Sequence, residues 1–320
     1  MLTLADVFAR FTLLRQWADT VVQGQDRVKE QVLTCLLAGG HALIEGVPGT
    51  GKTLLALSVA RLLGCSFRRV QFTPDLMPAD LLGTSIFDPR DQEFRFRPGP
   101  IFADLLLADE VNRTPPRTQS ALLECMQEGA ATVDGTRHAI SPVFTVLATQ
   151  NPVEFEGTYP LPEAQRDRFL MKILIDYPAR DEEGRMLASY ASGVRLHEDA
   201  VAALPTVLHR EELLECRRLV SREVRVEPGI QGYILDVVAA TRKDERVQIG
   251  AGPRASLALM ECSRALAALR QRDFVTPDDV KEIARAVLVH RVTLAPEAEM
   301  EGTTLDDVVR RILEAVEVPR

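Results

Sequence analysis

Apolar residues recur at helical spacing at both ends of the chain and gather into short unbroken runs in its middle. Leu13, Leu14 and Trp17 are spaced for one face of a first helix, and Val28, Val32, Cys35 and Leu36 for one face of a second. Gly39 and Gly40 stop that second helix. Residues 41–45 (HALIE) form an apolar strand that runs straight into a glycine-rich turn, and 54–63 returns to the helical period. Further apolar runs at 69–72, 105–108, 143–148 and 171–175 are strand candidates separated by helical segments of ordinary length. Strands alternating with helices predict an α/β fold with a parallel sheet covered on both faces.

The proline- and glycine-rich stretch 73–100 lies between two strand candidates, so it reads as an elaborate insertion rather than one crossover helix. Thr114 followed by Pro115 predicts a capped helix start, and Gly129 its end. In 131–140, Asp134-Gly135 between two β-prone runs predicts a hairpin. From Tyr177 to about Pro205 acids, arginines and small residues replace the strand pattern, and beyond it 231–241, 254–269, 278–289 and 305–316 carry helical periods. A boundary near Ala179 therefore divides an α/β domain (1–178) from a linker and an all-helical domain (179–320).

Composition narrows the function classes. With 46% apolar and 26% charged residues in 320, the chain is an ordinary globular one. The start MLTLADVFARF places an acid where a secretory leader has bases and an apolar run, and no apolar run is long enough to span a bilayer, so the expected compartment is the cytoplasm, with no membrane partner. Five widely spaced cysteines without a CxxC pair read as core thiols in a reducing environment. A formal charge of −8 weighs against a broad nucleic-acid footprint. Only five of the 38 bases are lysines, which makes any one lysine informative.

One lysine stands in Gly46-Val47-Pro48-Gly49-Thr50-Gly51-Lys52-Thr53, a GxxxxGK[ST] loop between an apolar strand and a helix beginning near Leu54. Glycines there let successive backbone N–H groups turn inward around a β-phosphate, and the helix adds the positive end of its dipole. Lys52 is then the cation for the β- and γ-phosphates of ATP, and the Thr53 hydroxyl a ligand of Mg²⁺. The strand at 105–108 runs into Asp109 and Glu110; Asp109 fits the magnesium-side carboxylate, and Glu110, pointing elsewhere, the general base for water. Asn151, after the 143–148 strand, is placed to orient that water or touch the γ-phosphate; the plainer alternative is a turn residue before Pro152.

These residues, with GPIFADLLLADEVNRTPPRTQSALLECMQE (99–128), ATQNPVEFEGTYPLPEAQRDRF (148–169) and GPRAS (252–256), resemble AAA+ ATPases and within them the MoxR family of the helix-two-insert clade. The resemblance implies a five-stranded parallel sheet in the order 5-1-4-3-2, a C-terminal helical lid, and a ring of subunits, commonly six, with nucleotide at the junctions. It makes 46–53 Walker A, Asp109 and Glu110 Walker B, and Asn151 sensor one. Arg168 matches the arginine finger, expected to act on a neighbour's nucleotide, and Arg254 matches sensor two. Arg166 departs from the family by being charged and competes for the finger role; on a helix it lies about 200° from Arg168, which is favoured. The segment Val22-Gln23-Gly24-Gln25 resembles the adenine-side loop, which makes Gln25 a nucleotide-binding candidate. The 73–100 stretch looks like the clade's insert and 131–140 like its second hairpin.

The resemblance further implies ATP hydrolysis coupled to remodelling or activating a client protein, often one carrying a von Willebrand factor A domain. The alternative from another class is a nucleic-acid-stimulated motor using Arg90, Arg95 and Arg97 of the insertion; the charge and the scarcity of lysine weigh against it.

Overall fold

Five short strands lie parallel in one sheet: β1 (Ala42–Gly46), β2 (Phe67–Gln71), β3 (Leu105–Asp109), β4 (Thr145–Gln150) and β5 (Met171–Ile175). Their order is β5-β1-β4-β3-β2, the expected one when only the sheet's own strands are numbered. Two hairpins outside the sheet add strands, so along the whole chain its members are the first, second, fifth, eighth and ninth. The computed structural model describes residues 2–47, 49–151, 157–191 and 198–319.

Central β3 and β4 are buried along almost their whole length, as their unbroken apolar runs require, whereas edge strand β2 (FRRVQ) is half-exposed. Side chains alternate across the sheet. Leu105 and Leu107 join a cluster with the N-terminal helices and the C-terminal helical region, while Leu106 and Ala108 pack with Leu122, Leu123 and Phe169 on the other face. Gln71 pairs in register with Asp109, and Ala108 with Ala148, so the carboxyl ends of β2, β3 and β4 finish level. Such an edge is where ligands bind in open parallel sheets.

Helix Leu4–Val21 buries Val7, Phe11, Leu14, Ala18 and Val21, a stripe at spacings of three and four. Leu13 and Trp17, expected on the buried face with Leu14, are 45% and 41% exposed. They lie one above the other but a helical step away from that stripe, so Leu14 alone faces the core. Helix Asp26–Ala38 buries Val28, Val32, Cys35 and Leu36 as predicted and ends at Gly39, whose φ of 77° suits glycine.

The 73–100 insertion holds a short helix, Pro78–Leu82, and an antiparallel hairpin, Gly83–Asp88 with Glu93–Pro98. The second hairpin pairs Ala130–Val133 with Thr136–Ala139 and turns through Asp134 and Gly135, both at positive φ, as the sequence predicts. The two hairpins meet where Phe96 stacks on His138 with ring centroids 3.9 Å apart.

Helix Pro116–Glu128 begins one residue later than expected. Because a residue before proline is pushed out of the helical region, Pro115 is held extended by Pro116 and takes the cap position, leaving Thr114 before it. Gly129 ends that helix at φ 59°.

Beyond the sheet the predicted helices appear as Pro228–Thr241, Pro253–Leu269, Pro277–Leu288 and Leu305–Ala315, preceded by Arg210–Glu223, which the periodicity did not single out. The region is not all-helical: Val247–Ile249 pairs with Thr293–Leu294 in a ribbon too short to leave a pattern. All five cysteines are free thiols, four of them buried, and burial pushes Cys35 up to about 12.

Candidate functional site

The glycine-rich loop joins β1 to helix Lys52–Leu62. Gly46 lies so close to β5 that a Cβ would sit 2.3 Å from the Ile175 carbonyl oxygen. Gly49 and Gly51 have φ of 83° and 82°, and nothing lies within 4 Å of where their Cβ atoms would project. Backbone N–H groups at this helix start thus border an open, backbone-lined hollow. Thr50 Oγ1 donates to the Val47 carbonyl at 3.1 Å and Lys52 Nζ to the Gly46 carbonyl at 2.7 Å, which folds the lysine over its own loop. Burial lowers the Lys52 pKa, and the neighbouring Asp109 and Glu110 carboxylates oppose that shift. Pro48 lies outside the described residues.

Across the hollow, Asp109 closes β3, and Glu110 turns into the left-handed region at φ 58°, ψ 51°. That backbone costs a non-glycine residue roughly 1–2 kcal/mol. It also sends two successive carboxylates to different partners. Thr149 connects them: its hydroxyl donates to Asp109 Oδ1 at 2.6 Å and accepts from the Glu110 N–H at 2.8 Å. Arg69 Nη2 and Nε donate to Asp109 Oδ2 at 2.7 and 3.2 Å, and Gln71 Nε2 donates to Glu110 Oε2 at 2.5 Å. Asn151, 7% exposed, completes the edge. The cleft of about 390 Å³ is lined by 49–54, Arg69, Gln71, Asp109, Glu110, Thr149 and Asn151.

Gly49, Thr50, Gly51, Lys52, Thr53, Leu54, Asp109, Glu110 and Asn151 therefore share one cleft, with Gly46 and Val47 at its base. Arg69, Gln71 and Thr149 were not singled out from the sequence. The available signal was their spacing: 69 and 71 share one face of an edge strand that finishes level with Asp109.

Three candidates lie elsewhere. Gln25, itself left-handed at φ 56°, donates from Nε2 to the Asp176 carbonyl at 2.8 Å and borders a separate polar pocket with Lys172 and Arg285. Arg168 and Arg254 line a cavity of about 330 Å³ between the end of the 163–170 strip and helix Pro253–Leu269. There Arg254 Nη1 stands 3.5 Å from Asp167 Oδ2, and Leu257 is 61% exposed. Arg166 is not among that cavity's lining residues: its Nε is buried, and its charge acts on His290.

Behind the sheet His41 is locked as one neutral tautomer, Nδ1 accepting from the Val146 N–H at 2.9 Å and Nε2 donating to the Met126 carbonyl at 3.1 Å. Burial of the ring lowers its pKa to about 4.

Residues 41–171 match the family model described as "ATPase family associated with various cellular activities (AAA)", and 239–312 match the AAA lid domain. Protein YeaC of Bacillus subtilis is 46% identical, covering 93% of this chain and 92% of its own length. Chaperone MoxR1 of Mycobacterium tuberculosis is 42% identical over 94% and 80%, and Protein MoxR of Methylorubrum extorquens 32% over 98% and 96%. A crystal structure of a candidate ATPase from Cytophaga hutchinsonii shares the fold with a TM-score of 0.90 at 37% identity, covering 98% of this chain and 96% of that one. With its parallel sheet, glycine-rich loop and paired strand-end acids, this chain belongs to the MoxR family of AAA ATPases.

Proposed function

We propose that this protein hydrolyses Mg²⁺-ATP in a ring of like subunits, six by family resemblance, and uses the cycle to remodel or activate a client protein. The observation that carries the reading is the division of the chemistry between two surfaces. The loop, Lys52, Asp109, Glu110 and Asn151 share one cleft, while Arg168 and Arg254 line another cavity. A cleft holding phosphate ligands and a base, with Arg168 and Arg254 on another surface, fits half of a composite site.

The fit of the cleft to its ligands rests on the open glycine hollow and on hard oxygen donors, Thr53 and Asp109, which suit magnesium. Bound between them, the ion would neutralise phosphate charge. The loop N–H groups and Lys52 hold the β- and γ-phosphates, and Lys52 exchanges the Gly46 carbonyl for phosphate oxygen. Arg69 donates to Asp109 Oδ2 and would compete with the cation for that carboxylate. Glu110 takes the proton of the attacking water, with Gln71 holding one of its oxygens and Asn151 orienting the water. Arg168 and Arg254 act from the neighbouring subunit, stabilising charge on the transferring phosphoryl group.

We take 1–178 as the nucleotide-binding domain, 179–320 as linker and lid, and the cytoplasm as the working compartment, in keeping with five free thiols. No described helix is long and apolar enough to cross a membrane. The chaperone role follows the name of the mycobacterial relative, and a von Willebrand factor A domain client follows the family resemblance. The nucleic-acid reading gains no support from the insertion, where Arg95 is paired with Asp91 and Asp88. Light scattering and ADP release test the proposal together. Mg²⁺-ATP should raise the particle mass severalfold and be consumed; an unchanged monomer mass with no ADP formed overturns it.

A further inference from the structure

The segment that carries Arg168 is gripped from the C-terminal region by a buried cation. Arg291, whose side chain is 3% exposed, follows helix Pro277–Leu288. Its Nε donates to Asp167 Oδ1 at 2.9 Å, Nη2 to the Phe169 carbonyl at 2.6 Å and to the Asp167 carbonyl at 3.5 Å, and Nη1 to the Leu170 carbonyl at 3.0 Å. The adjacent His290 Nε2 donates to the same Phe169 carbonyl at 3.0 Å. Arg254 Nη1 stands 3.5 Å from the other Asp167 oxygen.

Both neighbours of Arg168 are thus fixed by Arg291, while no hydrogen bond or ion pair among the described residues holds the Arg168 guanidinium itself. A fork with five donors can satisfy a carboxylate and several carbonyls at once, which an ammonium cannot reproduce. Asp167 in turn spans two arginines, Arg291 at Oδ1 and Arg254 at Oδ2.

We propose that Arg291 is a positioning residue: through Asp167 and the Phe169 and Leu170 carbonyls it fixes Arg168 to the helical lid, so that Arg168 and Arg254 are presented to the next subunit's nucleotide as one unit. This rests on the reading of Arg168 as a finger acting in trans. The lid's angle then sets the aim of the finger. A finger displaced by an ångström or so loses on the order of a hundredfold in rate without changing what its own subunit binds.

The test is a mixing titration with Arg291→Lys, which keeps the charge and removes the fork; Asp167→Asn, at a half-exposed position, is read in the same way should the lysine variant lack a cooperative melt. The expected result is a kcat 10- to 100-fold below the parent with KM for ATP within threefold. Activity should also return when Arg291→Lys protomers are mixed with Lys52→Ala protomers, because junctions pairing an intact loop with an intact finger reappear. A merely structural role would lower the melting temperature and leave kcat within twofold of the parent, and that result overturns the proposal. So does a low kcat that mixing fails to restore while the control, Arg168→Ala mixed with Lys52→Ala, recovers. Failure of the control itself removes the finger reading, and the positioning role with it.

Discussion

Thr149→Val asks whether one hydroxyl couples the two strand-end acids. The side chain is 1% exposed and the substitution nearly conserves its shape, so the change reports on hydrogen bonding alone. Two bonds disappear: the donation to Asp109 Oδ1 and the acceptance from the Glu110 N–H. A hydrogen bond to a charged group is worth about 1.5–3 kcal/mol, and a buried N–H left without an acceptor costs about 1–3 kcal/mol. The added methyl returns about 0.8 kcal/mol of burial. The net loss is about 2–5 kcal/mol, or roughly 4–20 °C in melting temperature at 2–4 °C per kcal/mol. Freed from Thr149, Asp109 is left to Arg69 among the described residues and Glu110 loses its backbone anchor, so kcat should fall about tenfold or more. Thr149→Ser keeps both bonds and should lie within about 1 kcal/mol of the parent. Melting curves and steady-state ATP turnover read the three proteins side by side. If Thr149→Val melts within 2 °C of the parent and turns over at the parent rate, the hydroxyl does not organise the site.

Lys52→Ala should weaken ATP binding at least tenfold, by removing the cation that folds over the loop; titration with a fluorescent ATP analogue checks it, and unchanged affinity would refute the assignment. Glu110→Gln should bind ATP within a few-fold of the parent and release ADP at least a hundredfold more slowly, since the amide keeps the shape but cannot take a proton; parent-rate release in a single-turnover assay would exclude Glu110 as the base. His41 predicts an acid-sensitive fold. Its folded pKa of about 4 lies below the ordinary 6.5, so its contribution is complete above pH 6.5 and is lost as pH falls through the window from 6.5 to 4. Between pH 7.5 and 5.0 the proton taken up by the unfolded chain alone removes about 2 kcal/mol, at about 1.36 kcal/mol per unit below 6.5. Urea midpoints at the two pH values should differ less in His41→Gln, and parallel pH slopes for both proteins would dismiss the ring as the cause.

What the sequence could show follows from what periodicity and spacing encode. Unbroken apolar runs marked β1, β3, β4 and β5, and because a parallel strand's carboxyl end is where the next turn must begin, Lys52, Asp109, Glu110 and Asn151 could be placed on one edge before any coordinates. The same logic misplaced Leu13 and Trp17, because two apolar residues four apart define a face without saying which face is inward. Pairing partners are a different kind of information. Arg69 reaches Asp109 across 40 positions and Arg291 reaches Asp167 across 124, and nothing in a local pattern of apolar and polar residues ties such positions together. A strand written FRRVQ looks like a poor edge until the register sets Gln71 opposite Asp109 and turns two of its polar side chains toward the acids. The illegible part of the site is therefore its connective part: residues chosen for what they hold in place rather than for where they stand in an element. That is also why Arg168 alone reads as a surface cation, whereas Arg168 with both neighbours anchored to Arg291 reads as a charge held in a fixed place.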